Sequence, residues 1–144
     1  MALVPAREAA LAAIAARLAA QLTDVPVERG RRSIVRIEEC PRLLLIMGGH
    51  REVTDDAAQV LLLTCEATVE GYVAVPPGTA DPDAALEAML NELHARCAAA
   101  LLGVEIAFTG DGDTLMVDGV GFEPDAAALD ASAAAAGGFT WTIR

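Results

Sequence analysis

Between Leu61 and Val75 the chain alternates with a period of two, and that alternation limits its fold more than any other feature. Leu61, Leu63, Cys65, Ala67, Val69, Gly71, Val73 and Val75 fall on one side; Leu62, Thr64, Glu66, Thr68, Glu70 and Tyr72 fall on the other. Successive side chains of a strand point to opposite faces, so this is a strand with one buried face and one largely polar face. Some fifteen residues at strand rise reach about 50 Å, well beyond an ordinary strand. One end therefore projects beyond the domain, or the strand bends at Gly71.

The flanking segments fill in the partners. Leu11, Ile14, Leu18 and Leu22 recur at helical spacing after Pro5, and Thr23-Asp24 followed by Pro26 ends that helix. VPVER (Val25–Arg29) reads as a short strand. LLLIM (Leu43–Met47) is an apolar run that stops at Gly48-Gly49 and reads as a buried strand. The polar stretch GGHREVTDDAAQ, Gly48 to Gln59, reads as a long loop. Asp81 is a good N-cap, with Pro82 at the first helical position. Leu86, Leu90, Leu93, Cys97 and Leu101 stripe a second helix that Gly103 closes.

VEIAFT and TLMVDGVGF around GDGD read as a β-hairpin. Asp125 to Gly138 reads as loop or weak helix. FTWTIR ends the chain as a strand with Phe139, Trp141 and Ile143 on one side. These elements predict an α+β fold: one domain over residues 1–144, a largely antiparallel sheet with a long central strand, and two helices packed on one face.

Composition narrows what such a domain can do. The 144 residues are more than half apolar, but much of that is alanine, and aromatics are one Trp, one Tyr and three Phe. The core is thin for the chain's length, so neighbouring copies are a natural source of extra burial. No apolar run approaches the roughly 20 residues of a membrane span. AALAAIAA (Ala9–Ala16) has the look of a signal-peptide core, but Glu8 and Arg17 flank it, and helical periodicity explains it better. Cys40, Cys65 and Cys97 are odd in number, widely spaced and without a CxxC pair, which reads as reduced thiols.

The motifs that carry chemistry are missing their partners. TGDGDT (Thr109–Thr114) would need an oxygen ligand and a glycine where Leu115 and Met116 stand in order to hold calcium. A strand follows it, whereas a phosphate loop opens a helix, so it reads as a turn. His94 and Cys97 lie three apart on the second helix, with no other ligand pair near them in sequence. No nucleophile–base arrangement or general-acid pair can be assigned. The reading is of a non-enzymatic protein with no catalytic residue, no metal site and no cofactor.

Charge is the feature that rises above background. The net charge is -11, yet residues 1–51 hold eight arginines against five acids, and residues 52–144 hold two against sixteen. VERGRRSIVR (Val27–Arg36) concentrates Arg29, Arg31, Arg32 and Arg36 in ten residues. No aromatic side chain interleaves them to stack bases, and the surrounding field opposes a polyanion. A basic edge of one copy meeting an acidic edge of the next accounts for the segregation. Repeated head to tail, such a contact closes into a ring. Arg29, Arg31, Arg32, Arg36, His50, Arg51, Asp55 and Asp56 are accordingly the expected interface residues.

The order of these segments resembles a family: the small tail-terminator (tail-completion) proteins of long-tailed bacteriophages and related gene transfer agents. The resemblance covers most of the chain. It is carried by the Ala/Leu-rich opening helix running into LTDVPVERGRRS, then CPRLLLIMGGHREV, the strand LLLTCEATVEGYVAV, the helix DPDAALEAMLNELHARCAAALL, and the terminal aromatic strand. These are patterns, not signature residues.

The resemblance implies a virion or gene-transfer-agent part assembled in the bacterial cytoplasm, a ring that is commonly a hexamer. Such a ring would sit on the head-proximal end of the tail tube, end tube polymerisation and meet the head's connector. Its partners would be copies of itself, the tail-tube protein and the connector protein. DNA would pass through the lumen without specific binding, and no membrane is involved. Another connector or tube component is the nearest alternative, and a non-viral regulatory or ligand-binding α+β domain the more distant one. The interface residues come from the charge pattern and are not a motif of that family.

Overall fold

A computed structural model describes residues 6–31, 33–55, 60–110, 112–125 and 135–144. It has the expected α+β architecture. Helix α1 (Ala6–Gln21) leads into strand β1 (Val27–Arg29), a single 3-10 turn (Ile37–Glu39), and strands β2 (Arg42–Asp55) and β3 (Val60–Val75). Helix α2 (Pro82–Leu101) follows, then β4 (Ile106–Ala107), β5 (Thr114–Leu115), β6 (Gly119–Asp125) and β7 (Ala135–Ile143). Five strands form one sheet in the order β1-β2-β3-β7-β6, and β4 and β5 form a separate small ribbon. Only β1–β2 is a parallel pair in the main sheet; the other pairings are antiparallel.

Both helices lie on one face of the sheet. Leu11, Ile14 and Leu18 of α1 and Leu86, Leu90, Leu93, Cys97 and Leu101 of α2 share a core with sheet residues. Those are Leu43 and Leu45 of β2, Val69 and Val73 of β3, and Phe139, Trp141 and Ile143 of β7. The helical stripes, the alternation of β3 and the aromatic side of the last strand therefore converge as their periodicities require. Asp81 caps α2 by accepting from Ala84 N at 3.4 Å, and Gly103 follows the helix at φ +71. No helix among the described residues is long and apolar enough to cross a membrane.

Four expectations need correction. First, the stretch expected as a loop from Gly48 is strand as far as Asp55. Gly48 and Gly49 form a bulge between the Met47–Ala67 and His50–Cys65 pairs, and pairing then resumes to Asp55–Val60. A Cβ on Gly48 would lie 2.8 Å from the Glu66 carbonyl oxygen, so the glycine marks a close backbone approach, not a chain break. Residues 56–59 lie outside the described residues.

Second, Gly71 does not interrupt β3, since it pairs with Leu43 on one side and Phe139 on the other. It leaves the space into which the Phe139 ring packs, and a Cβ there would fall 2.4 Å from that ring. The projecting end is what the pairing shows: β7 begins to pair with β3 only at Ala67, so among the described residues Val60–Glu66 is joined to β2 alone.

Third, the expected hairpin after α2 is reduced to two residue pairs, Ile106–Leu115 and Ala107–Thr114. Phe108 N bonds Asp113 O at 3.0 Å and Thr109 Oγ1 donates to Asp113 Oδ2 at 3.1 Å, closing the turn. The chain beyond pairs with β7 instead, because Phe122 finds the aromatic core there. Fourth, in the stretch expected as loop or weak helix, Asp125 belongs to β6 and Ala135–Gly138 to β7; residues 126–134 lie outside the described residues.

Candidate assembly surface

The arginine-rich segment follows β1 and crosses the face of the sheet that the helices leave open. Its apolar residues alternate: Val35 is buried, together with Leu44 of β2 and Ala136 of β7, while Ile34 stands 82% exposed. Ile37, Cys40, Ile46, Tyr72 and Ala74 pack around the buried group. Residues 33–40 are therefore a strap laid on the open face, pinned by Val35 and presenting Ile34 and Arg36 outward.

The arginines in and beside the strap are neutralised largely within the chain. Arg29 makes a two-pronged pair with Glu8 at 2.6 and 2.8 Å, tying the end of β1 to the first turn of α1. Arg31 uses all five of its N–H donors. Nη1 reaches Glu28 and Glu39, each at 2.9 Å; Nη2 reaches Glu39 at 2.8 Å and the Ile34 carbonyl at 2.9 Å; Nε reaches Ser33 Oγ at 3.0 Å. A guanidinium so occupied has no N–H left for a partner.

Arg42 adds a bond from Nη1 to Glu28 at 3.2 Å and one from Nε to the Glu39 carbonyl at 3.1 Å. Glu39 also accepts from Arg36 N at 2.8 Å, fixing the start of the 3-10 turn. Its bonds from Arg31, then that from Arg36 N, hold the Glu39 carboxyl far below its ordinary 4.5, at about 2.

The expected interface residues thus divide. Arg29 and Arg31 work inside the chain, as a tie and a clamp. Arg36 is exposed and has no ion-pair partner among the described residues. With Arg31, Ser33, Ile34, Glu38 and Glu39 it lines an open depression of about 510 Å³. His50, Arg51 and Asp55 lie on the extended part of β2, with their side chains outside the described residues; Arg32 and Asp56 lie outside them altogether. The charge count missed Ile34, whose signal was a bulky apolar residue set between arginines. It also missed the role of Glu28 and Glu39, three and eight residues from Arg31.

Beyond the strap the open face is acidic. Glu123, Thr140 and Glu70 stand in one cross-strand row of β6, β7 and β3; Asp125, Gly138 and Tyr72 form the next. Glu66 lies further along the same side of β3 and is exposed. Tyr72 donates to Glu70 at 2.8 Å, and burial, then Glu70, raises its phenol above the ordinary value. On the helix side, Cys97 is fully buried and burial pushes its thiol up to about 12, so it is an inert core thiol. Among the described residues no three His, Cys, Asp or Glu side chains gather as a metal site would require. No protein-family model and no curated protein matches the chain.

Proposed function

We propose that this chain is a ring-forming structural protein that sits at the head-proximal end of a phage or gene-transfer-agent tail tube, ends tube growth and joins tail to head. The observation that carries the reading is the β2–β3 ribbon. Past the Ala67–Ile143 pair it continues as two strands alone, to Asp55 and Val60, with no third strand on either edge among the described residues. A two-stranded ribbon is marginal in water, and its unpaired edges invite a neighbour. A second copy, set head to tail, supplies one and repeats the contact around a ring.

The strap supports the same reading with a changed mechanism. Arg31 and Glu39 fasten it, and the surface offered to the next subunit is Ile34 with Arg36: an apolar anchor beside a positive charge with no ion-pair partner among the described residues. His50, Arg51 and Asp55 belong to the ribbon and meet the neighbour, the tube or the connector there. The acidic row Glu66, Glu70, Glu123 and Asp125 suits the lumen, where it would repel passing DNA from the wall. The ionisable groups that converge, Arg31, Arg42, Glu28 and Glu39, are spent on one another, and the depressions are open, which favours a structural part over a catalyst.

Size-exclusion chromatography with light scattering tests this, with the protein alone and then with tail tubes of the particle that its neighbouring genes encode. The expected outcome is a discrete multiple of the 14.9 kDa chain, formed alone or on the tubes, and tubes that stop elongating once it binds. A chain that stays monomeric in both settings and leaves tube growth unchanged defeats the reading.

A further inference from the structure

His94 takes no part in the surface described above. It projects from α2 into an aromatic nest: its ring centroid lies 4.3 Å from Phe122 at 31°, 4.9 Å from Trp141 at 80° and 5.8 Å from Phe139 at 72°. Phe122 also touches Phe139, at 5.3 Å. Phe122 is the single residue of β6 that is not exposed. The hold of the helix layer on this edge strand therefore runs through one ring, and His94 is the helix residue stacked on it. His94 Nε2 is buried and has no hydrogen-bond partner among the described residues.

We propose that His94 is an acid-sensitive latch: the neutral imidazole clamps edge strand β6 to helix α2, and protonation frees that edge. With the neutral ring's proton on Nδ1, the bare lone pair on Nε2 is tolerable in the nest, but protonation would add an N–H there with no described acceptor. Aromatic faces do attract cations, which opposes the effect. Burial pulls the His94 pKa below its ordinary 6.5.

Among the described residues no opposite charge is positioned to rescue the imidazolium. On α2 the neighbouring ionisable residues are Glu92, Arg96, which pairs with Asp24, and the buried neutral Cys97. From β7, Phe139 to Ile143 brings no ionisable side chain, and the facing residues of β3 are Val69, Gly71 and Val73. From β6, Glu123 and Asp125 alternate to the far side of the strand from Phe122. Asp118 and Arg144, at the ends of β6 and β7, exchange backbone hydrogen bonds with each other at 2.8 and 2.9 Å.

The sign follows by linkage. With the pKa lower in the closed state than in the open one, the open state binds more protons between the two values. Closure is complete above pH 6.5 and weakens as pH falls from there through the closed-state pKa. Each unit of depression corresponds to about a tenfold rise in the open population. An opened β6 leaves β7 as the sheet's edge, ready to accept another strand.

The test is amide hydrogen exchange, corrected for intrinsic rates, at whichever of the Gly121, Phe122 and Glu123 amides bond to β7, from pH 7.5 to 5. The expected result is a loss of protection at these amides while those of α2 and β3 hold, and no such loss in His94→Phe, which keeps the ring and drops the proton. Should that variant fail to fold, titration of the His94 ring by NMR in the native chain decides. A pKa at or above 6.5, or β6 protection that stays flat across the range, overturns the proposal.

Discussion

The two faces of the sheet are built on different principles. Against the helices, Leu43, Leu45, Val69, Val73, Phe139, Trp141 and Ile143 lie in a continuous apolar layer sealed by α1 and α2. On the other side the buried apolar side chains among the described residues are Val35, Leu44 and Ala136, ringed by the half-buried Ile37, Cys40, Ile46, Tyr72 and Ala74, and beyond them come ion pairs, threonines and carboxylates. Apolar burial is cumulative and indifferent to direction; a clamp of charged hydrogen bonds is weak in water but fixes geometry. The helix face should hold the fold, and the open face should hold a shape that something else recognises.

The largest effects should therefore fall on the helix face. Leu18, fully buried on α1, should cost about 2–5 kcal/mol as Leu18→Ala, since neither α2 nor the sheet can collapse into the gap. Val35→Ala across the sheet should cost about 1.5 kcal/mol, from two lost carbons at roughly 0.8 each. Equal values in denaturant unfolding would erase the distinction between the faces.

Gly71→Ala is next in size and sharpens the comparison in the opposite sense. The added Cβ would meet the Phe139 ring 2.4 Å away, so overpacking of about 1–3 kcal/mol is expected, again by denaturant unfolding. A neutral result would mean that Phe139 can swing aside and that the notch is slack. This glycine also shows what a pattern of types conveys. Alternation correctly placed residue 71 on the core face, but whether a glycine there marks a bend or a notch depends on Phe139, nearly seventy residues later.

Other parts of the chain were legible or opaque for similar reasons. Both helices, the two-sided β3 and the aromatic last strand followed from local periodicity, which survives folding. Gly48-Gly49 read as an end because paired glycines usually break structure; cross-strand pairing with Thr64 to Leu61 overrode that preference. The arginine segment was visible as a charge excess. Its neutralisation was not, because Glu8 is twenty-one residues from Arg29 and Glu39 eight from Arg31, distances at which sequence carries no contact signal. Arg36 and Ile34 came outward because Val35 went in, a choice that only the sheet beneath could make.

The clamp and the nest should respond to acid in separate windows. Glu39 titrates near 2 in the folded chain against an ordinary 4.5, so its contribution is complete above pH 4.5 and is lost as pH falls through 2. The His94 window opens higher, at 6.5. Amide exchange at Glu39 and Cys40, whose N–H groups close the turn onto Arg36 and Ile37, should rise only in the lower window. Glu39→Gln should move that rise to neutral pH. A strap that opens together with β6 would show that the two faces are coupled.

The smallest expected effect on stability is the most telling about function. Ile34 buries almost nothing and Arg36 binds no described side chain, so the pair Ile34→Asp and Arg36→Glu should shift unfolding by no more than about 0.5 kcal/mol. Neither substitution removes a side chain of the Arg31–Glu39 clamp, so the strap should stay in place. Reversal at Arg31 would be a poorer test, since it tears out five internal hydrogen bonds and confuses misplacement with lost contact. In light scattering the double variant should lose self-assembly, or capping of tail tubes, at concentrations where the unaltered chain achieves it. If assembly persists unchanged, the strap is only a cover for Leu44, and recognition between copies must reside in the β2–β3 ribbon alone.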